Sequence, residues 1–140
     1  MKDEKMIEAL NRMLSQEHAC AIRYATHAAV VTGPYADTVQ ARLKEISTDE
    51  VSHAEKLRDR ILALGGMPTL EVSGEDLKSA KTLQQILSIN IEEEKEAIRL
   101  YTEILNSISP SNAILFQTIQ TILSDEQEHL EELESLGFSE

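Results

Sequence analysis

Two nearly identical phrases govern what this chain can become. The first runs Thr48-Asp49-Glu50-Val51-Ser52-His53-Ala54-Glu55-Lys56-Leu57, the second Ser124-Asp125-Glu126-Gln127-Glu128-His129-Leu130-Glu131-Glu132-Leu133. Both reduce to Asp-Glu-x-x-His-x-Glu-x-Leu. On a helix, positions i and i+3 lie about 60° apart, so each Glu projects to the same side as its His. Two such pairs turned inward from two helices bring carboxylates and imidazoles to one place, which is a half-built dinuclear metal site.

The flanking sequence supplies the helices. From about Lys5 to Thr32, Leu10, Leu14, Glu17, Ala21, Tyr24, Ala28 and Val31 recur at alternating spacings of four and three, an inward stripe interrupted by one charge. Gly33-Pro34 ends this helix. A second runs from about Tyr35 to Leu64, with Leu43, Ile46, Glu50, His53, Leu57 and Leu64 in phase. Gly65-Gly66-Met67-Pro68 stops it, because glycine and proline punctuate helices. The stretch to about Gly74 lacks a helical pattern and is long enough to run the length of a bundle. A third helix is expected from about Asp76 to Ser107, with Leu83, Leu87, Asn90, Glu94, Ala97, Tyr101 and Leu105 on its stripe. Ser109-Pro110 reads as N-cap and first position of a fourth helix, whose stripe is Ile119, Ile122, Glu126, His129 and Leu133, and which Gly137 closes. The expected architecture is all-α: one domain over residues 1–140, an antiparallel four-helix bundle with short turns in each hairpin and one long crossover between the second and third helices.

The chain also repeats at the level of helix pairs. Tyr24 follows Glu17 by seven residues, as Tyr101 follows Glu94. Glu50 lies 33 residues after Glu17, and Glu126 lies 32 after Glu94. Ala21-Ile22-Arg23 echoes Ala97-Ile98-Arg99. Within the run Glu92, Glu93, Glu94 and Glu96, this register selects Glu94 as the partner of the second phrase, with Glu93 as the fallback.

Four carboxylates on inward stripes, Glu17, Glu50, Glu94 and Glu126, are costly unless neutralised, because burial and mutual repulsion both oppose ionisation. Two divalent cations would cancel four negative charges, with His53 and His129 each adding a neutral nitrogen. A carboxylate and imidazole donor set without thiolate suits iron or manganese better than a closed structural zinc site. The repeat implies pseudo-symmetry, each metal held by one His and one terminal Glu, with two Glu bridging.

Composition narrows the alternatives. A net charge of −12 repels nucleic-acid phosphates and fits attraction of small cations or plain solubility. Cys20 is the one cysteine, which excludes an intramolecular disulfide and a four-cysteine metal centre. Met1-Lys2-Asp3-Glu4-Lys5 leads straight into a helical pattern, and no apolar run approaches the roughly 20 residues of a membrane span, so the cytoplasm is the expected compartment and no membrane partner is expected.

These residues resemble the bacterioferritin branch of the ferritin-like superfamily. The resemblance rests on Leu10-Asn11, Glu17, Tyr24 and His27, on Asp49-Glu50-x-x-His53-Ala54-Glu55 running into Arg60-Ile61-Leu62-Ala63-Leu64-Gly65-Gly66-Met67-Pro68, on Glu94-Lys95-Glu96-Ala97-Ile98, and on Asp125-Glu126-x-x-His129. It covers nearly the whole chain. It implies a ferroxidase centre of two iron ions per chain, with Glu17 and Glu94 as terminal ligands, Glu50 and Glu126 as bridges, and His53 and His129 as nitrogen ligands. The implied activity is oxidation of Fe(II) by oxygen or hydrogen peroxide for iron storage or detoxification, in a homo-oligomer of at least two copies.

Two positions depart from that family. Val51 stands where bacterioferritins carry the methionine that binds haem, so haem is not expected. The chain stops at Gly137-Phe138-Ser139-Glu140, without the short fifth helix that helps close the family's hollow shell, which leaves a dimer or other small oligomer as the alternative to a shell. Two competing functions stay open: a rubrerythrin-like peroxidase lacking its own rubredoxin centre, and a structural bundle stapled by metal. Tyr24 reads either as a residue supporting the ligands or as a core tyrosine, and Tyr101 as core. His27 is a candidate accessory iron ligand, His18 a surface histidine, Asn90 a partner that orients Glu94 or a plain interhelical hydrogen bond, and Cys20 a small packed side chain.

Overall fold

The computed structural model describes residues 3–137; Met1, Lys2 and the closing Phe138-Ser139-Glu140 lie outside them. The described residues form four long helices: α1 (Glu4–Val30), α2 (Ala36–Ala63), α3 (Leu83–Ser107) and α4 (Ala113–Gly137), with one short 3-10 turn at Gly74–Asp76. They fall into two compact units, one ending at Leu83 and the other starting at Gln84.

In the first unit, α1 starts where the Asp3 carboxylate accepts the Met6 N–H at 3.1 Å, an N-cap that satisfies one of the helix's orphan donors. Gly33, at φ +117°, turns the chain into α2, a conformation that a side chain would strain. α1 and α2 then pack on one another. Leu10 and Leu14 of α1 and Leu43, Ile46, Leu57 and Ile61 of α2 are completely buried there. α2 ends in a Schellman motif: Gly66 N–H reaches the Ile61 carbonyl at 2.9 Å and Gly65 N–H the Leu62 carbonyl at 3.0 Å. The two glycines serve different needs. Gly65 adopts φ +84°, whereas a Cβ on Gly66 would sit 2.7 Å from Ile7 Cγ2.

The crossover is laid along α1 in the same direction and is tied down by α1's polar residues. Asn11 Nδ2 donates to the Met67 carbonyl at 3.0 Å and its Oδ1 accepts the Thr69 N–H at 2.8 Å. The Ser73 N–H reaches the Ser15 carbonyl at 3.0 Å. Farther along, Arg23 donates to the Asp76 carbonyl at 2.8 Å and the His27 imidazole bonds the Lys78 carbonyl at 2.7 Å. A single parallel bridge between Thr32 and Thr82 closes the seam.

This seam corrects the expected start of the third helix. The sequence places it near Asp76, whereas α3 begins at Leu83. A carbonyl held by a side chain of α1 is turned away from the i+4 amide a helix needs, and Asp76 and Lys78 both lose their carbonyls this way. Leu77 between them is extended (φ −89°, ψ 90°).

In the second unit, Ser109, Pro110, Ser111 and Asn112 form a turn closed by the Asn112 N–H on the Ser109 carbonyl at 2.9 Å, with proline at the second position that favours its fixed φ. The expected Ser109-Pro110 cap is therefore displaced by three residues. Asn112 caps α4 instead, its Oδ1 accepting the Leu115 N–H at 3.3 Å. Gly137 is the last residue of α4 rather than a stop beyond it.

Candidate metal centre

In the first unit, α1 contributes Glu17 and α2 contributes Glu50 and His53. His53 Nδ1 lies 2.8 Å from Glu17 Oε2 and 3.2 Å from Glu50 Oε1. Each of the three offers a ligand atom within 4.8 Å of the others'. None is more than 1% exposed. Their convergence follows from the stripes: Glu17 continues the Leu10–Leu14 face, and Glu50 and His53 sit one turn apart between Ile46 and Leu57. Burial, and then the negative charge of Glu50, push the Glu17 carboxyl from its ordinary value near 4.5 up to about 8, against an opposing pull from His53. Glu17 is thus held largely protonated at neutral pH.

The second unit repeats the arrangement. His129 Nδ1 lies 3.3 Å from Glu126 Oε1 on α4 and 3.9 Å from Glu94 Oε1 on α3. Glu94, Glu126 and His129 again offer ligand atoms within 4.8 Å of one another and are buried. The Glu–His distance within each phrase is nearly the same in both units; the contact to the upstream glutamate is about an ångström longer in the second.

Each triad offers two carboxylates and one imidazole nitrogen, with Nδ1 as the nitrogen facing the carboxylates in both. Such oxygen-rich, thiolate-free sets suit iron or manganese, and Cys20 belongs to neither triad. A divalent cation in each would offset the repulsion that raises Glu17. Glu94, the glutamate in the repeat register, is buried, and Glu93 is only half-buried.

The other candidates are either bonded to neighbouring polar groups or packed in the core. The His27 imidazole is committed to the Lys78 carbonyl, and its burial lowers its affinity for a second proton. His18 points off the stripe as expected but is not a bare surface residue. Arg58 donates to its Nε2 at 2.9 Å, so its Nδ1 carries the proton and donates to the Glu71 carbonyl at 2.7 Å. Asn90 donates to the Ile86 carbonyl of its own helix at 2.8 Å. Tyr24 and Tyr101 are completely buried. Cys20 is buried and accepts an N–H from Arg23 at 3.4 Å. Arg23 itself is a residue the sequence does not flag: it is buried, its guanidinium lying 5.3 Å from the centre of the Tyr24 ring. The available signal is its spacing of four from His27, a second polar stripe beside the apolar one.

The four helices and the buried Glu/His triads define the class of this chain, which is ferritin-like. Residues 7–137 match the ferritin-like domain family, in one stretch that runs across both units. The chain is 29% identical to a bacterioferritin of Desulfovibrio desulfuricans over 135 residues, covering 95% of this chain and 74% of that one. It is 28% identical to a bacterioferritin of Mycobacterium leprae, covering 95% and 84%. Among solved structures, a Bacillus anthracis protein described as ferritin-like and diiron-carboxylate superposes with a TM-score of 0.90 at 29% identity, over 97% of this chain and 99% of that one. A dodecameric thioferritin from Bacteroides fragilis, described as bacterioferritin-related, superposes with a TM-score of 0.86 at 28% identity, over 94% and 83%. The chain belongs to the ferritin-like family and is an all-α four-helix bundle. Its bacterioferritin relatives are distant ones.

Proposed function

We propose that this protein is a diiron ferroxidase, oxidising Fe(II) with oxygen or hydrogen peroxide for iron storage or detoxification. The observation that carries the reading is the burial of two matched Glu/Glu/His triads, one per unit, in a chain whose relatives include diiron-carboxylate proteins. Glu17, Glu50 and His53 would hold iron in one half, and Glu94, Glu126 and His129 in the other. Bound iron supplies one electron per ion, so two Fe(II) and two protons convert dioxygen to hydrogen peroxide, or hydrogen peroxide to two waters. The chain's part is to hold the ions and keep bulk water out. Glu17, protonated in the metal-free state, gives up its proton as a cation binds.

The assembly is proposed to be a homo-oligomer, as the dodecameric relative is, and the working compartment the cytoplasm. No helix among the described residues is long and apolar enough to cross a membrane. The test is stopped-flow oxidation of Fe(II) by wild type and Glu50→Ala. A ferroxidase loses turnover in the variant while keeping its fold; a bundle merely stapled by metal loses mainly stability.

A further inference from the structure

The two triads match in residue type but differ in hydrogen bonding and in surrounding charge. His53 Nδ1 lies 2.8 Å from Glu17 Oε2, a buried hydrogen bond that ties the nitrogen to a carboxylate of its own triad. His129 Nδ1 stands 3.9 Å from Glu94 Oε1, too far for the same bond. The spacing within each phrase is nearly equal, 3.2 Å from His53 to Glu50 and 3.3 Å from His129 to Glu126. A cation entering the first triad must therefore break a bond between two of its ligands, and a buried hydrogen bond is costly to break. Entry to the second triad breaks no such bond between Glu94 and His129.

The charge is distributed just as unevenly. Residues 84–140 carry two Lys or Arg against twelve Asp or Glu, so −10 of the chain's −12 belongs to them. The excess sits beside the ligands. Within four positions of Glu94, Glu126 and His129 stand seven other carboxylates and one cation, Lys95. These carboxylates run from Glu92 to Glu96 on α3 and from Asp125 to Glu132 on α4, all of them exposed or half-buried. Within the same reach of Glu17, Glu50 and His53 stand only Asp49, Glu55 and Lys56. The flanking charge is thus −6 around the second triad and −1 around the first. At low salt such charges still attract a dication from several ångströms away, and a difference of this size favours the second triad about tenfold.

We propose that the second triad takes the first divalent cation and the first triad the second. The inference deepens the diiron reading, on which it rests for two ions per chain. Filling of Glu17, Glu50 and His53 then completes the complement of two. The bond between Glu17 and His53 thereby sets the Fe(II) supply at which oxidation begins.

The test titrates metal-free protein, carrying 15N-labelled histidine, with Zn(II) as a diamagnetic divalent probe. The Nδ1 signals of His53 and His129 are followed by NMR and assigned from His53→Ala and His129→Ala. In wild type at low salt, His129 is expected to take its metal-bound shift by one equivalent and His53 only with the second, a preference of about tenfold. Glu128→Gln combined with Glu131→Gln removes two exposed flanking charges and lowers that preference about two- to threefold, as does raised salt. A wild type in which His53 shifts first, or both shift together, overturns the order. A preference unmoved by the double variant and by salt overturns its electrostatic cause. Reversed order with intact Fe(II) oxidation leaves the ferroxidase reading standing, whereas ordered Zn(II) binding without Fe(II) oxidation overturns that reading alone. Zn(II) that reaches neither histidine overturns both.

Discussion

Glu17 Oε2 and His53 Nδ1 lie 2.8 Å apart across α1 and α2, both buried. The corresponding pair, Glu94 and His129, is separated by 3.9 Å. The first half is therefore drawn together by a hydrogen bond that the second half makes longer than hydrogen-bond range. This contact holds Glu17 beside Glu50, whose negative charge adds to burial in raising the cost of ionising Glu17.

A pH dependence of stability follows from Glu17. Its carboxyl titrates near 8 when folded and near 4.5 when unfolded, so the folded state holds the extra proton between those values. Stability from this group is complete below about pH 4.5 and is lost as pH rises through about 8. Metal-free protein is expected to lose a few kcal/mol from this source between pH 5 and pH 8.5, an upper figure from a shift of this size. Urea unfolding at both pH values measures it, and Glu17→Gln flattens the difference. A metal-free protein that gains stability over this range contradicts the assignment.

Glu50 contributes to that penalty through its charge. Glu50→Gln keeps the shape and removes the repulsion, so the metal-free variant is expected to be at least as stable as wild type at pH 8, by up to about 1–2 kcal/mol. Its capacity to oxidise Fe(II) falls steeply. Thermal unfolding beside an iron assay checks both, and a variant that is less stable but still oxidises iron would reverse the account.

Arg23 holds the crossover by its bond to the Asp76 carbonyl. Replacing it with alanine removes a charged hydrogen bond and leaves the carbonyl unmatched, at a cost of about 2–3 kcal/mol. Hydrogen exchange should localise the effect to residues 74–82 before global unfolding. Protection there that is unchanged in Arg23→Ala would show that the seam does not depend on this residue.

The close of α2 is sensitive to single methyl groups. Gly66→Ala drives a Cβ to 2.7 Å from Ile7 Cγ2, an overpacking expected to cost about 1–3 kcal/mol. Gly65→Ala instead forces a side chain into φ +84°, at about 1–2 kcal/mol. Urea titration of each variant tests the pair, and the absence of any shift in Gly66→Ala would mean that Ile7 yields without cost.

Much of this was legible in the residues because the stripes are long and the charges in them few. Glu17, Glu50, Glu94 and Glu126 each interrupt an apolar face at mid-helix, and all four are buried in the structure. What stayed hidden depends on long-range contacts. Residues 76–82 contain no helix breaker, and the capture of the Asp76 and Lys78 carbonyls by α1 holds them out of a helix. Ser109 and Asn112 are equally good caps by residue type; the Pro110 turn between them decides in favour of the second. Arg23 passes unremarked and His27 reads as a candidate accessory iron ligand, because nothing local announces that a crossover will cover them and engage both.

The central claim is that two buried triads bind iron and present it for oxidation. Its most direct test is an anaerobic Fe(II) titration of metal-free protein, followed by admission of oxygen or peroxide, counting iron bound and oxidised per chain. The account predicts a first saturation at two Fe(II) per chain, both oxidised on exposure, and its loss when either His53 or His129 is replaced by alanine. Fe(II) that does not bind saturably, or that binds and is not oxidised by either oxidant, would contradict it.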